Sequence, residues 1–551
     1  MINFNDFYKA CGNASKAWKK AFQAALEGDK TVYFPEGVYD FYPEECTQKL
    51  HFFCNNDEAV RTIAIYLEGV DDFTICGENA RFIFHGRISP LVAFKCKNLK
   101  ISGFSVDFDR SFVTDAELIR RENGKAYFRL AGDPPLENGK IKFVGDFYDN
   151  YSGVLTFLPF DNELQEIPCD AAALSVNNCD LSVSEDGLIE FPDLFADTAQ
   201  TSFIIRHELR ICPAIVCDEC DDVSVNDVTL YHSAGMGLLC QNCSDIAVEK
   251  LKVIPKNRRT AVSDDALHMV DCRGKLSIRN CELCNTLDDS INVHGIYRPL
   301  KNRFPGDDFF YLDTGHFQQL GLIGARSGDT LELVKNDTNI PYAKIKVKKA
   351  VMLNKAMTRV FFDGEMPEKY CSGDTARIVE VSEAELVVEN CILRPLNGRG
   401  VLASGVKSAV IKNNRIHSSG AGIFVSGGVA YWYETGPVEY MKIENNIFDN
   451  CNYKNTASTR EPLSVFPELS VMPDDFYYHG KIEVLNNRFI SACRTLISMR
   501  SVKEAVCRNN SFEENNTYKF DYKPKIAYFF TDNNSPAAAF DHCGKVDCDM
   551  V

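Results

Sequence analysis

Short segments of alternating apolar residues, punctuated by Asn or Cys, recur along this chain at a nearly fixed step, and that step restricts the fold more than any other feature. Asp222-Val-Ser-Val-Asn-Asp-Val-Thr-Leu is followed by Asp245-Ile-Ala-Val-Glu-Lys-Leu-Lys-Val, and later by Lys275-Leu-Ser-Ile-Arg-Asn-Cys-Glu-Leu and Glu385-Leu-Val-Val-Glu-Asn-Cys-Ile-Leu. Tyr440-Met-Lys-Ile-Glu-Asn-Asn-Ile-Phe and Lys481-Ile-Glu-Val-Leu-Asn-Asn-Arg-Phe continue the series. Val223 to Ile246 is 23 residues; aligning Leu386 with Val410 and Ile482 with Val506 gives 24. Alternation is the strand signal, and Asn marks turns because it tolerates the left-handed conformation. Strands at this step without intervening helices predict an all-β chain, a right-handed parallel β-helix in which each coil buries its neighbour's apolar face. A sandwich would need hairpins every 8–12 residues or so.

A solenoid must protect its ends. Ala14 to Leu26 reads as an amphipathic helix suited to cap the N-terminus, ahead of a first strand from Thr31. The punctuation lapses over 115–205 and 298–380, which read as two inserted β-rich, barrel-like units. The expected division is therefore 1–114 for the cap and first coils, 115–205 and 298–380 for the insertions, 206–297 for the central coils, and 381–551 for the last coils and tail.

Composition narrows the function. The 551 residues carry 60 Lys+Arg against 77 Asp+Glu, a formal charge of −17, which opposes nucleic-acid binding and docking on anionic membranes. No apolar run reaches the about 20 residues of a membrane-spanning helix, and Met1-Ile-Asn-Phe-Asn-Asp-Phe does not read as a secretory signal, so a cytoplasmic location is expected. Of the 22 cysteines, Cys217/Cys220, Cys240/Cys243 and Cys281/Cys284 form C-x-x-C pairs. Zinc is the functional reading of such pairs, but the first two recur at the repeat step, which predicts reduced cysteines stacked inside the coils.

One turn breaks the pattern. Leu230-Tyr-His-Ser-Ala-Gly-Met-Gly and Arg415-Ile-His-Ser-Ser-Gly-Ala-Gly align with Leu283-Cys-Asn-Thr-Leu-Asp-Asp-Ser, so Asp288-Asp289 replaces Gly-Met and Gly-Ala. Matching Ala266-Leu-His to Ser290-Ile-Asn sets Asp264 over Asp288 and Asp265 over Asp289, about 4.8 Å apart. Stacked carboxylates repel one another and shift their pKa values, a cost that a turn selected only for stability avoids. Solvent-facing turns and a calcium site are the competing readings. Paired carboxylates suit glycoside hydrolysis, in which one acid protonates the leaving oxygen and another carboxylate activates water.

Asp265-Ala-Leu-His-Met, Cys272-Arg-Gly-Lys-Leu-Ser-Ile-Arg-Asn-Cys and Leu287-Asp-Asp-Ser-Ile-Asn-Val-His-Gly resemble glycoside hydrolase family 110, densely over 260–296 and more loosely elsewhere, including Tyr431-Trp-Tyr-Glu-Thr-Gly-Pro-Val. The resemblance implies a β-helix with inserted barrels and an inverting, exo-acting α-galactosidase that cleaves terminal α-1,3-linked galactose from an oligosaccharide or glycan, with no cofactor. It implies Asp265 as the general acid and Asp288 with Asp289 as the pair that orients and deprotonates water. Ala266 stands where the family pattern has Gly.

Around these, His268, His294, Asn292 and Asp264 are candidate substrate ligands, Trp432 a stacking surface for a sugar face and Glu434 a hydroxyl acceptor. Arg258 and Arg259 are expected in solvent or beside the acidic cluster. The alternatives are another β-helix glycosidase acting on uronate polymers, a calcium-dependent lyase, and a non-catalytic carbohydrate-binding β-helix.

Overall fold

The computed structural model describes residues 1–550 except 57–58, 144–153, 170–171, 179–180, 196–198, 208–209, 304–305, 430, 455–460, 493 and 519–536. Each central coil contributes three parallel strands. One coil runs Leu238–Gln241, Ser244–Glu249, Lys252–Val253, and the next runs Leu267–Val270, Arg273–Arg279, Glu282–Cys284. The first strands of successive coils stack into a 13-stranded sheet, and the second and third stack into a 22-stranded sheet bent at the Asn turn. Between them lies one continuous core of Val, Ile, Leu, Phe, Ala and Cys.

Register confirms the repeat and corrects its step. Val223 pairs with Ile246, as the sequence predicts, but Leu386 pairs with Ala409 and Ile482 with Ala505, so those steps are also 23 residues. Helix Ala14–Leu26 closes the N-terminal end, with Asn13 Oδ1 accepting from the backbone N–H of Ser15 and Lys16 and with Ala17, Trp18, Ala21 and Ala25 turned into the core. Cys217 lies directly over Cys240, and both pairs Cys217/Cys220 and Cys240/Cys243 are buried and unbridged.

The two members of each Asn pair do different work. The first, Asn413, Asn445, Asn486 or Asn509, takes the left-handed conformation, with φ of 57°, 57°, 56° and 56°. The second builds a ladder along the axis of the helix. Asn446 Oδ1 accepts from the backbone and side-chain N–H of Asn414, both at 3.0 Å, while its Nδ2 donates to Ile411 O and Asn487 Oδ1. Asn487 and Asn510 repeat the arrangement. Where Cys391 holds this position its backbone N–H still donates to Asn414 Oδ1 at 2.8 Å, and the amide side-chain ladder ends there.

Two antiparallel sheets leave the solenoid. Seven strands between Val113 and Arg206 form the first. Six strands between Arg298 and Ile378 form the second, and a bridge between Leu300 and Leu312 brings its edges together as a barrel.

Removing one rung of the ladder leaves buried donors and acceptors unpaired. Asn446→Ala should lower stability by about 1–3 kcal/mol, read as a fall in the denaturant midpoint, whereas substitution of solvent-facing Asn516 should leave the midpoint in place.

Candidate active site

The acidic turns lie between the third strand of one coil and the first strand of the next. Leu267–Val270 pairs in register with Ile291–Ile296, which pairs with Val401–Ala403. That register sets Asp264 and Asp265 under Asp288 and Asp289, and the next coil sets Gly398 and Arg399 on the far side. Gly398 is required there, because a Cβ would lie 2.4 Å from the Asp288 carbonyl carbon. Oxygens of Asp265, Asp288 and Asp289 all lie within 4.8 Å of one another. The three line a cavity of about 300 Å³ together with Asn55, Arg210, Asn292, Gln318, Arg399, Trp432, Glu434 and Glu468.

Each carboxylate has a distinct environment. Arg399 holds Asp289 through its backbone N–H at 2.7 Å and through its guanidinium, Nε lying 2.9 and 3.0 Å from the two carboxylate oxygens and Nη2 2.9 Å from Oδ2. Arg210 bridges two coils, donating from Nε to Asp264 Oδ1 and from Nη2 to Asp288 Oδ2, both at 3.0 Å. Asp265 Oδ1 accepts the Asp289 backbone N–H at 2.9 Å, and its Oδ2 lies 2.6 Å from His268 Nδ1. The Asp288 side chain is 32% exposed, against 1% for Asp264 and Asp289, and none of the described residues donates to its Oδ1. Asp288 is thus the member of the cluster with an open oxygen toward the cavity.

These environments separate the titrations. Burial pushes the Asp265 carboxyl well above the usual carboxylate range, and the charges of Asp288 and Asp289 push the same way. Burial also raises Asp289, to about 6, against the opposing pull of Arg399. Asp264 is raised by burial and restrained by Arg210 and Arg206. Burial opposes the charge on Arg210, but Asp264, Asp288 and Asp265 outweigh it and keep the guanidinium charged. Asp265 is thus the member of the cluster without an arginine partner, whereas Asp264 and Asp288 share Arg210 and Asp289 is held by Arg399. Arg210 and Arg399 already take up oxygens of Asp288 and Asp289 that a divalent ion would need as ligands.

Several expectations change. Asp264 does not line the cavity; it is fully buried and holds Arg210 in place. His268 and His294 lie behind Asp265 and are also not among the cavity-lining residues: Leu267, Met269, Ile291 and Val293 enter the solenoid core, so the two histidines face the other side of the sheet, where Leu239, Val270 and Ile296 are also buried. Asn292, Trp432 and Glu434 do line the cavity, and Asn292 Oδ1 is buried without a protein partner, open to a hydroxyl. Trp432 stands in an exposed aromatic group, 4.7 Å from Tyr431 and 5.7 Å from Phe317 between ring centroids. Arg258 and Arg259 pair with Asp107 and Glu117, not with the acidic cluster; the first pair joins two solenoid segments and the second ties the first insertion to the solenoid. The sequence reading missed Arg210, Arg399, Gln318 and Glu468. Arg399 was findable: Asn280-Cys281 and Asn390-Cys391 are 110 residues apart, and the same offset carries Asp289 to Arg399.

Comparison with known proteins falls on the same architecture. Residues 312–375 match the family model for GLAA-B beta-barrel domain II, and residues 377–543 match a right handed beta helix region. Alpha-1,3-galactosidase B of Bacteroides thetaiotaomicron is 27% identical over 535 residues, covering 92% of this chain and 84% of its own. Alpha-1,3-galactosidase A of Bacteroides fragilis is 23% identical over 515 residues, covering 90% and 84%. The chain is a homologue of the α-1,3-galactosidases. The glycoside hydrolase family 110 resemblance read from residues 260–296 thus extends over most of the chain. Among solved structures, a family 28 exopolygalacturonase of Yersinia enterocolitica superposes with a TM-score of 0.36 at 9% identity, over 100% of this chain and 79% of that one.

Arg399 sets the pH at which Asp289 ionises. In Arg399→Gln, burial acts on Asp289 without its counter-charge, so the acidic limb of the kcat/KM profile should move from about pH 6 to higher pH. A pH–rate profile of the two enzymes checks this.

Proposed function

We propose that this protein is an exo-acting, inverting α-galactosidase that removes terminal α-1,3-linked galactose from an oligosaccharide or glycan. The observation that carries the reading is the division of labour among three aspartates in one cavity of a chain homologous to α-1,3-galactosidases. Asp265, protonated and facing the cavity, gives its proton to the glycosidic oxygen. The C1–O bond breaks with its electrons moving to that oxygen. A water on the other side of C1 attacks and loses a proton to Asp288 Oδ1, beside the fixed charge of the Asp289–Arg399 pair.

The 4.8 Å within which the carboxylates cluster is measured between nearest oxygens, a shorter measure than the carboxyl-to-carboxyl spacing that separates inverting from retaining sites. Inversion is supported instead by lone-pair occupancy. Both Asp289 oxygens are filled by Arg399 donors, which makes Asp289 a poor nucleophile, and one open oxygen on Asp288 suits proton removal from water.

The cavity also favours a neutral sugar over a uronate. Its lining has Asp265, Asp288, Asp289, Glu434 and Glu468 but only Arg210 and Arg399 as cations, and both arginines are committed to carboxylates. An anionic substrate needs free cationic partners. Asn292, Glu434 and Glu468 are placed to hold hydroxyls. Trp432, with Tyr431 and Phe317, offers apolar faces at the cavity edge for the sugar on the leaving side.

The enzyme should release galactose from galactose-α-1,3-galactose and leave oligogalacturonate intact; the opposite preference would replace this reading with the uronate one. Asp265→Asn should lose about 10²–10⁴-fold in kcat on the disaccharide and far less on an aryl α-galactoside whose leaving group needs no proton. Asp288→Asn should lose activity on both.

A further inference from the structure

Two buried histidines behind Asp265 have no place in the mechanism above, yet they form a continuous chain from it. Asp265 Oδ2 lies 2.6 Å from His268 Nδ1, His268 Nε2 lies 3.1 Å from His294 Nε2, and His294 Nδ1 lies 2.8 Å from the Gly295 carbonyl oxygen. The rings meet edge to face at 5.0 Å. His268 is fully buried and His294 nearly so.

The chain has a direction, because its last member can only accept. A carbonyl oxygen has no proton, so His294 Nδ1 carries the hydrogen that joins it to Gly295. In a neutral His294 the lone pair is then on Nε2, and His268 must donate to it from its own Nε2. That leaves a lone pair on His268 Nδ1. The short contact between this nitrogen and Asp265 Oδ2 therefore needs a proton on Asp265. The three groups share one titratable proton beyond the neutral imidazoles and the carboxylate. Only its placement on Asp265 leaves all three uncharged; the other two placements bury an imidazolium and a carboxylate together.

We propose that His268 and His294 are positioning residues that hold Asp265 as a carboxylic acid, through a tautomer chain anchored on the Gly295 carbonyl. This rests on the reading of Asp265 as the general acid and deepens it. The proton that protonates the leaving oxygen is this same one: it leaves its contact with His268 Nδ1 for the glycosidic oxygen, and the carboxylate that remains faces the lone pair of His268 Nδ1. For His268 to turn and donate, His294 would have to present Nε2–H to it, and its Nδ1 lone pair would then face the Gly295 oxygen. The ionised acid thus has no donor on this side, which favours its reprotonation from solvent after each turnover. The remaining groups around Asp265 act in known directions. Asp264, Asp288 and Asp289 oppose its ionisation and Arg210 favours it, and Arg399 is committed to Asp289. Burial, with His294 and Arg210, holds the His268 imidazole neutral well below its ordinary range.

The unmodified enzyme tests this directly. In ¹⁵N-histidine NMR at pH 7, His294 should be the Nδ1–H tautomer and His268 the Nε2–H tautomer with an accepting Nδ1. A doubly protonated ring at either position would overturn the proposal. In His294→Phe the acceptor for His268 Nε2–H is lost. His268 is then free to donate from Nδ1 to an ionised Asp265, and the alkaline limb of kcat/KM on galactose-α-1,3-galactose should move to lower pH by about one unit. On an aryl α-galactoside with a good leaving group that limb should be absent in both enzymes. An unmoved limb on the disaccharide, with Asp265→Asn still inactive, would overturn the histidine chain alone. An active Asp265→Asn would overturn the assignment of the acid itself.

Discussion

The spacing between coils, about 4.8 Å, is the constraint from which the site follows. A parallel β-helix repeats its turns at this distance, so whatever residues occupy equivalent positions are held side by side. Four consecutive turns here carry Gly235-Met236, Asp264-Asp265, Asp288-Asp289 and Gly398-Arg399 in register. Two layers of paired carboxylates are closed on one side by a layer that supplies an arginine and a glycine. The arginine neutralises Asp289, and the glycine lets the backbone approach Asp288. A solenoid tolerates this clustering because its stability comes from the core and the Asn ladder, which continue through the coils on either side.

Charge balance then assigns the three aspartates different states. Arg210 joins Asp264 to Asp288 across the coil boundary, Arg399 is committed to Asp289, and Asp265 is left with a backbone N–H and an imidazole. With no cation of its own in a buried position, Asp265 is stable only when protonated. An acid and a base in one cavity thus arise from where the arginines are, although all three side chains are identical. The second inserted unit finishes the cavity: it brings Gln318, and its Phe317 packs on Trp432 of the later coil.

The solenoid was legible because its repeat is written in alternation and in Asn, and the register of the acidic turns followed from aligning Leu230, Leu283 and Arg415. Pattern alone does not distinguish the left-handed Asn from the ladder Asn, since both are simply Asn in a turn; the difference is which side chain points along the axis. Arg399 escaped because the inserted barrel separates it by 110 residues from the aspartate it touches. Arg210 escaped because it reaches the cluster from an irregular segment with a left-handed φ of 52°, outside any repeat. His268 and His294 were expected on the cavity wall. They follow the turn on strands buried on both faces, where alternation does not reveal which side faces the ligand.

The claim on which the rest depends is that water, activated at Asp288, attacks while Asp265 protonates the departing oxygen. Proton NMR of the enzyme acting on galactose-α-1,3-galactose, following the anomeric signal of newly released galactose before mutarotation, tests it most directly. The account predicts β-galactose first. Initial release of α-galactose would contradict it, because retention requires a carboxylate rather than water to make the first attack on C1.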